Sequence, residues 1–329
     1  MLSYLERIAS RVASARTPFN SVVGLARTLL ALATAGTLFV TSPAVLFSPG
    51  AALSEIPPLC SNERAASFFC LLPRTQLETM RFCAVALLLV VASGWRPRFT
   101  GILHAWVAWS LQASGLLVDG GDQVASNLAL LLLPLTLADS RRWHWDADMS
   151  GSSASRVVAQ VSLMAARIQV AGVYFHAAAG KFGHEEWSDG TALYYWFTHP
   201  FFGAPAWLRP AIESLLQSGT VVTALTWCTI VLEFALAASP WLSHKAQRRL
   251  FVLGFGMHLG IVLVHGLVSF VMTMWAGLTL LLLVPSFERL GDLVPRALVD
   301  GLRRIKTSFQ SPAPLLAISS FSQTMSHRP

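Results

Sequence analysis

Residues 157–181 read VVAQVSLMAARIQVAGVYFHAAAGK. The run carries one cation, Arg167, before the lysine that closes it. It is long enough to cross about 30 Å of hydrocarbon as a helix, which takes roughly 20 residues. Its polar members fall in register: Gln160, Arg167, Tyr174 and Lys181 recur every seven residues. Seven residues of straight helix stop only about 20° short of two turns. The four therefore share one stripe, with Lys181 at one edge of the membrane and Arg167 deep inside it. Gln169 and His176 form a second pair, seven apart, on another face.

Outward from this segment the same character continues. Further apolar runs lie near 20–41, 80–95, 99–118, 123–138, 220–242, 250–264 and 268–286. Of the 329 residues, 54% are hydrophobic and 12% charged, and the mean hydropathy is +0.55. A soluble domain carries about 25% charge, so this chain lacks the means to clothe a water-facing surface, and a soluble globular enzyme is excluded. Disorder is excluded too, because so apolar a chain has ample surface to bury. The expectation is an all-α, polytopic membrane bundle of about eight transmembrane helices over 20–286, with the lipid bilayer as its first partner.

The net charge of +7 reads as topology rather than as nucleic-acid binding. With the N-terminus inside, the inner segments hold 17 Lys and Arg, among them Arg96, Arg98, Arg141, Arg142, Lys245, Arg248 and Arg249. The outer segments hold four, Arg64, Arg74, Lys181 and Arg209. Basic residues accumulate on the cytoplasmic side, which places both termini in the cytoplasm of a multi-pass inner-membrane protein. Residues 1–19 form a basic amphipathic segment suited to the inner membrane surface, where anionic lipid attracts it. Residues 287–329 form a basic tail whose Ser/Pro-rich end is expected to be disordered.

Two long loops then face outside. In residues 42–79, prolines forbid one continuous helix. Cys60 and Cys70 lie in the oxidising compartment, where a disulfide persists. Such a bond is either a staple or a redox-active pair working with a membrane quinone. Residues 181–219, KFGHEEWSDGTALYYWFTHPFFGAPAWLRPAIESLLQSG, are dense in aromatics that favour the membrane interface. Short interfacial helices are expected there, where a lipid-soluble reactant could enter.

Ionisable groups within the membrane are costly and mark candidate sites. Lys181 is either an amine snorkelling to the interface or a partly desolvated base. Arg167 is too deep to snorkel and calls for an acidic partner. Glu233, in TWCTIVLEFALAASPW, is the carboxylate well inside an expected span, so the two are expected to pair as a structural ion pair. His258 and His265 share a face but stand about 10 Å apart along a helix, too far to chelate one ion. No metal is expected, and no HExxH, CxxC, GxSxG or Walker sequence occurs. Asp122, in GGDQVASNLALLLLP, is explained as a helix cap.

Taken together, several stretches resemble the HTTM family, the bacterial membrane relatives of vitamin K-dependent gamma-carboxylase. They are QVAGVYFHAAAGKFGHEEWSDGTALYY, LEFALAASPWL, GFGMHLGIVLVHGLVSFVMTM and GLARTLLALATAGTLF. Within it, GGDQVASNLALLLLPLTLADSRRWHW and the Cys60/Cys70 loop look most like the B component of the sporulation-delaying-protein toxin system, implicated in maturing a secreted antimicrobial peptide. The resemblance implies Lys181 as the base that deprotonates a reduced membrane quinone, with Tyr174, His176 and His258 as further catalytic candidates. It implies Phe175, Trp187, Tyr195 and Trp196 as quinone-holding aromatics. The chain departs from the carboxylase in lacking its large outer peptide-binding domain, so peptide capture falls to the outer loops or to a companion maturation protein. The function expected is a membrane factor maturing an exported toxin precursor peptide; the alternative is a non-catalytic export, scaffold or immunity partner.

Overall fold

Local chemistry sets where the helices begin and end. Asn20, Asp119, Ser152, Ser218 and Ser243 each stand just ahead of a helix, and their side chains accept the backbone N–H three residues on, satisfying donors that a first turn leaves open. Gly94 and Gly266 close helices in the left-handed region (φ 86° and 70°), which costs glycine little. Pro97 opens a helix at its first turn, where its missing N–H is not needed.

The computed structural model describes residues 17–48, 58–116, 118–146 and 152–293. The main helices are α1 (Ser21–Val40), α2 (Leu77–Ser93), α3 (Pro97–Ser114), α4 (Gly120–Leu131), α5 (Leu133–Ala138), α6 (Ser153–Lys181), α7 (Gly219–Ala237), α8 (His244–His265) and α9 (Val268–Leu278). A π-helical turn, Thr279–Leu283, continues α9. No strand occurs among the described residues; a single bridge joins Trp95 to Trp143. Most of the expected N-terminal segment and most of the C-terminal tail lie outside the described residues. The chain divides after Arg289, and of the second unit the 3₁₀ turn Leu290–Leu293 is described.

Among the described residues, six segments are long and apolar enough to cross a membrane: Ser21–Val40, Arg74–Ser93, Gly120–Ala138, Ser153–Lys181, Gly219–Ala237 and His244–His265. The other two of the eight expected spans are helical but do not reach that standard. The helix α3 carries Arg98, Thr100, His104, Ser110, Gln112 and Ser114, and the apolar stretch Val268–Leu283 is shorter than a full span.

Contacts sort the connections into two ends. At one, Leu116 donates to the Leu46 carbonyl and Leu59 to that of Ser114, while a Cβ at Gly121 would lie 2.6 Å from Phe270. Arg81 donates there to the carbonyls of Leu38 and Phe39, at 2.8 and 2.9 Å, closing the last turn of α1. At the other end, Arg96 donates to the Arg142 carbonyl and His144 to that of Gly94. Successive long helices therefore alternate in direction. The helix α1 is central, packing on α2 and α9, while α6 packs on α7 and α5.

One apolar cluster joins Leu30, Leu128, Leu163, Val170, Leu278 and Leu281. A second joins α1, α2 and α3 to Phe47, Phe68 and Phe69 of the first long loop. That loop holds the Cys60–Cys70 disulfide. The second long loop forms short helices at Glu185–Ser188, Ala192–Thr198 and Arg209–Leu216.

Candidate functional site

The site grows from the end of α6. This 29-residue helix closes at Lys181, with the chain turning at Phe182. Lys181 Nζ donates to both carboxylate oxygens of Glu233 on α7, at 2.8 and 2.7 Å, and to the Ala177 carbonyl at 3.3 Å. The pair is largely withdrawn from solvent, with side chains 17% and 9% exposed. Trp187, carried on the short helix Glu185–Ser188, lies with its ring 4.8 Å from Nζ, within reach of a cation–π attraction. Its approach is fixed one turn later. Gly190 sits at φ 87°, where a Cβ would stand 2.7 Å from Thr223 of α7, and Asp189 accepts from both the N–H and the hydroxyl of Thr191.

Two turns below Lys181, Tyr174 is buried, and its hydroxyl has no hydrogen-bond partner among the described residues. Glu233 lies within electrostatic reach of it. The Tyr174 ring meets His258 edge-on, centroids 6.0 Å apart. His258 Nδ1 donates to the Gly254 carbonyl at 2.8 Å, and the imidazole stacks on Phe270. With Nδ1 as the donor, Nε2 is the acceptor of the neutral ring. Lys181, Glu233, Tyr174, Trp187 and His258 thus come together from three helices and one loop.

Of the other expected residues, Phe175 lies on the flank of this group and the rest do not join it. Glu233 is not paired with Arg167: Lys181 holds both its oxygens, and Arg167 Nε is buried without a hydrogen-bond partner among the described residues. The seven-residue stripe had put both cations on one face, but spacing along a helix does not fix the depth at which a neighbour crosses it. His176 is exposed on the opposite side of α6 from Tyr174. Phe175 packs on Phe234, and Phe182 packs on both Trp227 and Phe234, giving an aromatic flank beside the pair. Tyr195 stands beside Tyr194, and Trp196 beside His265, so neither is shown at Lys181. Among the described residues, no group of three or more His, Cys, Asp or Glu is placed to hold a metal ion.

Comparison with known proteins then bears on what this arrangement is. The chain is 35% identical over 269 residues to the sporulation-delaying protein SdpB of Bacillus subtilis (strain 168), covering 80% of this chain and 82% of that protein. It belongs to the SdpB family. It is likewise 35% identical over 274 residues to the uncharacterized protein YitO of the same organism, covering 82% of this chain and 87% of that one. No family model matches the chain, and no solved structure does.

A second polar centre of this SdpB-family chain was not foreseen in the sequence. At the opposite end from Lys181, Arg27 of α1 is buried and points NH1 at His144 Nδ1, 3.1 Å away. Guanidinium donates only, so Nδ1 accepts. Nε2 then carries the proton and donates to Thr28 Oγ1 at 3.3 Å, and Thr28 donates to the Ala92 carbonyl at 2.7 Å. Arg141 pairs with Asp139 at 2.7 Å, both almost fully buried, and donates to the carbonyls of His144 and Asp146. Burial and the Arg27 and Arg141 charges hold the His144 pKa down to about 2. The imidazole is walled by Gly24 and Gly94, where a Cβ would lie 2.9 and 2.4 Å from its ring. The signal in the sequence was ADSRRWHWD, whose charges are too many for a free turn between spans.

Proposed function

We propose that this SdpB-family chain is a cell-membrane component of an antimicrobial-peptide system, crossing the membrane eight times with both termini in the cytoplasm. In this reading it matures an exported precursor peptide, and the Lys181–Glu233 pair performs acid–base chemistry at the outer end of the bundle. The observation that carries it is the pair itself: an amine bound by both oxygens of a largely buried carboxylate, beside a buried tyrosine hydroxyl with no partner. Proton transfer from Lys181 to Glu233 leaves a neutral amine able to accept a proton from a substrate, with Glu233 storing the first one. Tyr174 supplies a hydroxyl for a reacting oxygen, and His258 fixes its ring edge-on. The likeness to the sporulation-delaying protein SdpB and the motifs resembling HTTM proteins support the reading.

A reduced membrane quinone fits the aromatic flank formed by Phe175, Phe182, Trp187, Trp227 and Phe234, with the free Tyr174 hydroxyl as a polar contact. When bound, it would supply electrons and an acidic hydroxyl. The chain's own residues offer that flank as an open apolar face, with Phe175 and Phe182 about half exposed, and hold the proton between Nζ and the carboxylate.

The same ion pair favours a second reading. A two-oxygen contact joining α6 to α7 also suits a non-catalytic scaffold or immunity partner, in which Lys181 holds the bundle together. The masses of peptides exported by the native host separate the two, measured with the chain intact, deleted, or carrying Lys181→Arg. Arginine keeps the charge but stays protonated in proteins. A product mass altered on deletion and equally altered by well-expressed Lys181→Arg supports catalysis; a normal product from Lys181→Arg removes it.

A further inference from the structure

The acidic residue explained from sequence as a helix cap is not one. The N-cap of α4 is Asp119, whose Oδ1 accepts the Asp122 N–H at 2.8 Å and whose carbonyl accepts that of Gln123. Asp122 is thereby released from capping, and it is 5% exposed. One of its oxygens, Oδ1, accepts from Thr37 Oγ1 of α1 at 3.0 Å. The other, Oδ2, has no hydrogen-bond partner, and no Lys, Arg or His pairs with Asp122 among the described residues.

One turn deeper on the same helix face, Ser126 is fully buried, and its Oγ also lacks a partner among the described residues. A serine within a helix ordinarily satisfies itself on the carbonyl four residues back; this one does not. Two buried oxygens without partners, four residues apart, have Cβ atoms about 5–6 Å from each other. That spacing lets both close on one small guest.

We propose that Asp122 and Ser126, with Thr37 orienting the carboxylate, form a binding site for a small monovalent cation of the Na⁺ class between α1 and α4.

Charge and donor type select this guest. The donors are oxygens, which suit hard cations, and no thiol or imidazole is present to favour a transition metal. One buried carboxylate balances one positive charge; a divalent ion would leave a net charge stranded in a low-dielectric interior. Water alone could reach both oxygens, but the carboxyl would then have to take up a proton to shed its charge, an outcome the test below separates from cation binding. Asp119, exposed at the mouth of the same helix, gives an entering cation a first carboxylate on the way in. The site is independent of the Lys181–Glu233 chemistry proposed above.

The test uses full-length protein purified in detergent, with melting followed by tryptophan fluorescence at fixed pH and ionic strength in NaCl or choline chloride. Wild type should gain stability with Na⁺ in a saturable way, since a ligand that binds the folded state stabilises it by mass action. Asp122→Asn should lose that response, and Ser126→Ala should need about tenfold more Na⁺, in keeping with the loss of one ligand oxygen worth about 1.4 kcal/mol. Equal melting of wild type in both salts overturns the site, as does a Na⁺ response that survives in Asp122→Asn. A pH dependence of melting that is lost in Asp122→Asn, found by repeating the comparison at several pH values and unaccompanied by a Na⁺ response, identifies a carboxylic acid and overturns it too. Should Asp122→Asn not fold, equilibrium binding of ²²Na⁺ decides. One saturable site in wild type, weakened about tenfold in Ser126→Ala, supports the proposal; no saturable binding overturns it.

Discussion

Lys181 Nζ reaches both oxygens of Glu233, at 2.8 and 2.7 Å, so that a single contact ties the end of α6 to the inward face of α7. Losing one partner of a fully buried pair costs about 3–5 kcal/mol because the other charge is stranded. The Lys181 side chain keeps 17% exposure, which lowers the expectation to about 2–4 kcal/mol. Glu233→Gln should therefore reduce the folded yield seen by size-exclusion chromatography in detergent. Combining it with Lys181→Met should restore part of that loss, with a coupling of about 1–3 kcal/mol. Strictly additive losses would show that the two side chains contribute separately.

Arg167 gives the opposite expectation. Its Nε is buried without a hydrogen-bond partner among the described residues, so exchanging it for an apolar side chain of similar length removes an expense rather than a bond. Arg167→Met should melt at the same temperature as wild type or a few degrees higher, measured by tryptophan fluorescence. A large loss of stability would show that Arg167 has a membrane-embedded acidic partner after all.

These two residues also mark how far the sequence could be read. Apolar runs located the helices closely: the run near 20–41 is Ser21–Val40, and the run near 220–242 is Gly219–Ala237. The polar stripe on α6 correctly put Tyr174 and Lys181 on one face, because helical periodicity is a property of one segment. Which cation meets Glu233 depends on how α6 and α7 cross, and no local pattern encodes that. The capping of α4 was misjudged for a related reason. Asp119 and Asp122 are both plausible in a first turn, and only the packing of α1 against α4 draws Asp122 inward to Thr37. The Arg27–His144 contact spans 117 residues, a separation across which spacing carries no signal.

That contact makes a prediction about pH. With its pKa held down to about 2 in the folded protein, against about 6.5 in an unfolded chain, His144 takes up a proton on unfolding at any pH between these values. Stability is then fully present above about pH 6.5 and declines as the pH falls, by about 1.4 kcal/mol per unit from this residue. His144→Asn offers an oxygen to Arg27 in place of Nδ1 and cannot be protonated. Its melting temperature, measured from pH 7.5 to 5, should fall less steeply than that of wild type. Identical slopes would show that His144 is not held neutral.

The disulfide predicts a local effect. Cys60–Cys70 closes a short loop whose Phe68 and Phe69 pack into the cluster beneath α1, α2 and α3. Changing both cysteines to serine should cost about 2–3 kcal/mol, typical for so short a closure, and should expose the loop to limited proteolysis while Lys181→Arg leaves it resistant. Equal digestion of the wild-type and double-serine loops would mean that packing alone orders it.

The last prediction joins the two ends of the bundle to the two sides of the membrane. A chain of contacts places both long loops at one end. Leu116 bonds to Leu46, next to the disulfide loop; Gly121 approaches Phe270; and His265 Nδ1 donates to the Phe202 carbonyl in the aromatic loop. Arg96, Arg98, Arg141 and Arg142 gather at the other end, where Arg98 donates to the Leu137 carbonyl. A disulfide persists in an oxidising compartment, and basic residues are retained in the cytoplasm. Both rules lead to the same expected orientation, the one proposed above, with Ser218 outside and Ser153 inside. The check begins from a protein in which the exposed Cys83 and Cys228 have been changed to serine. A membrane-impermeant maleimide added to intact cells should label Ser218→Cys and leave Ser153→Cys unlabelled until the membrane is opened. Labelling of Ser153→Cys alone would invert the protein and place Lys181 in the cytoplasm, where an exported peptide could not meet it. Labelling of both in intact cells would deny the alternation of helix directions on which either orientation depends.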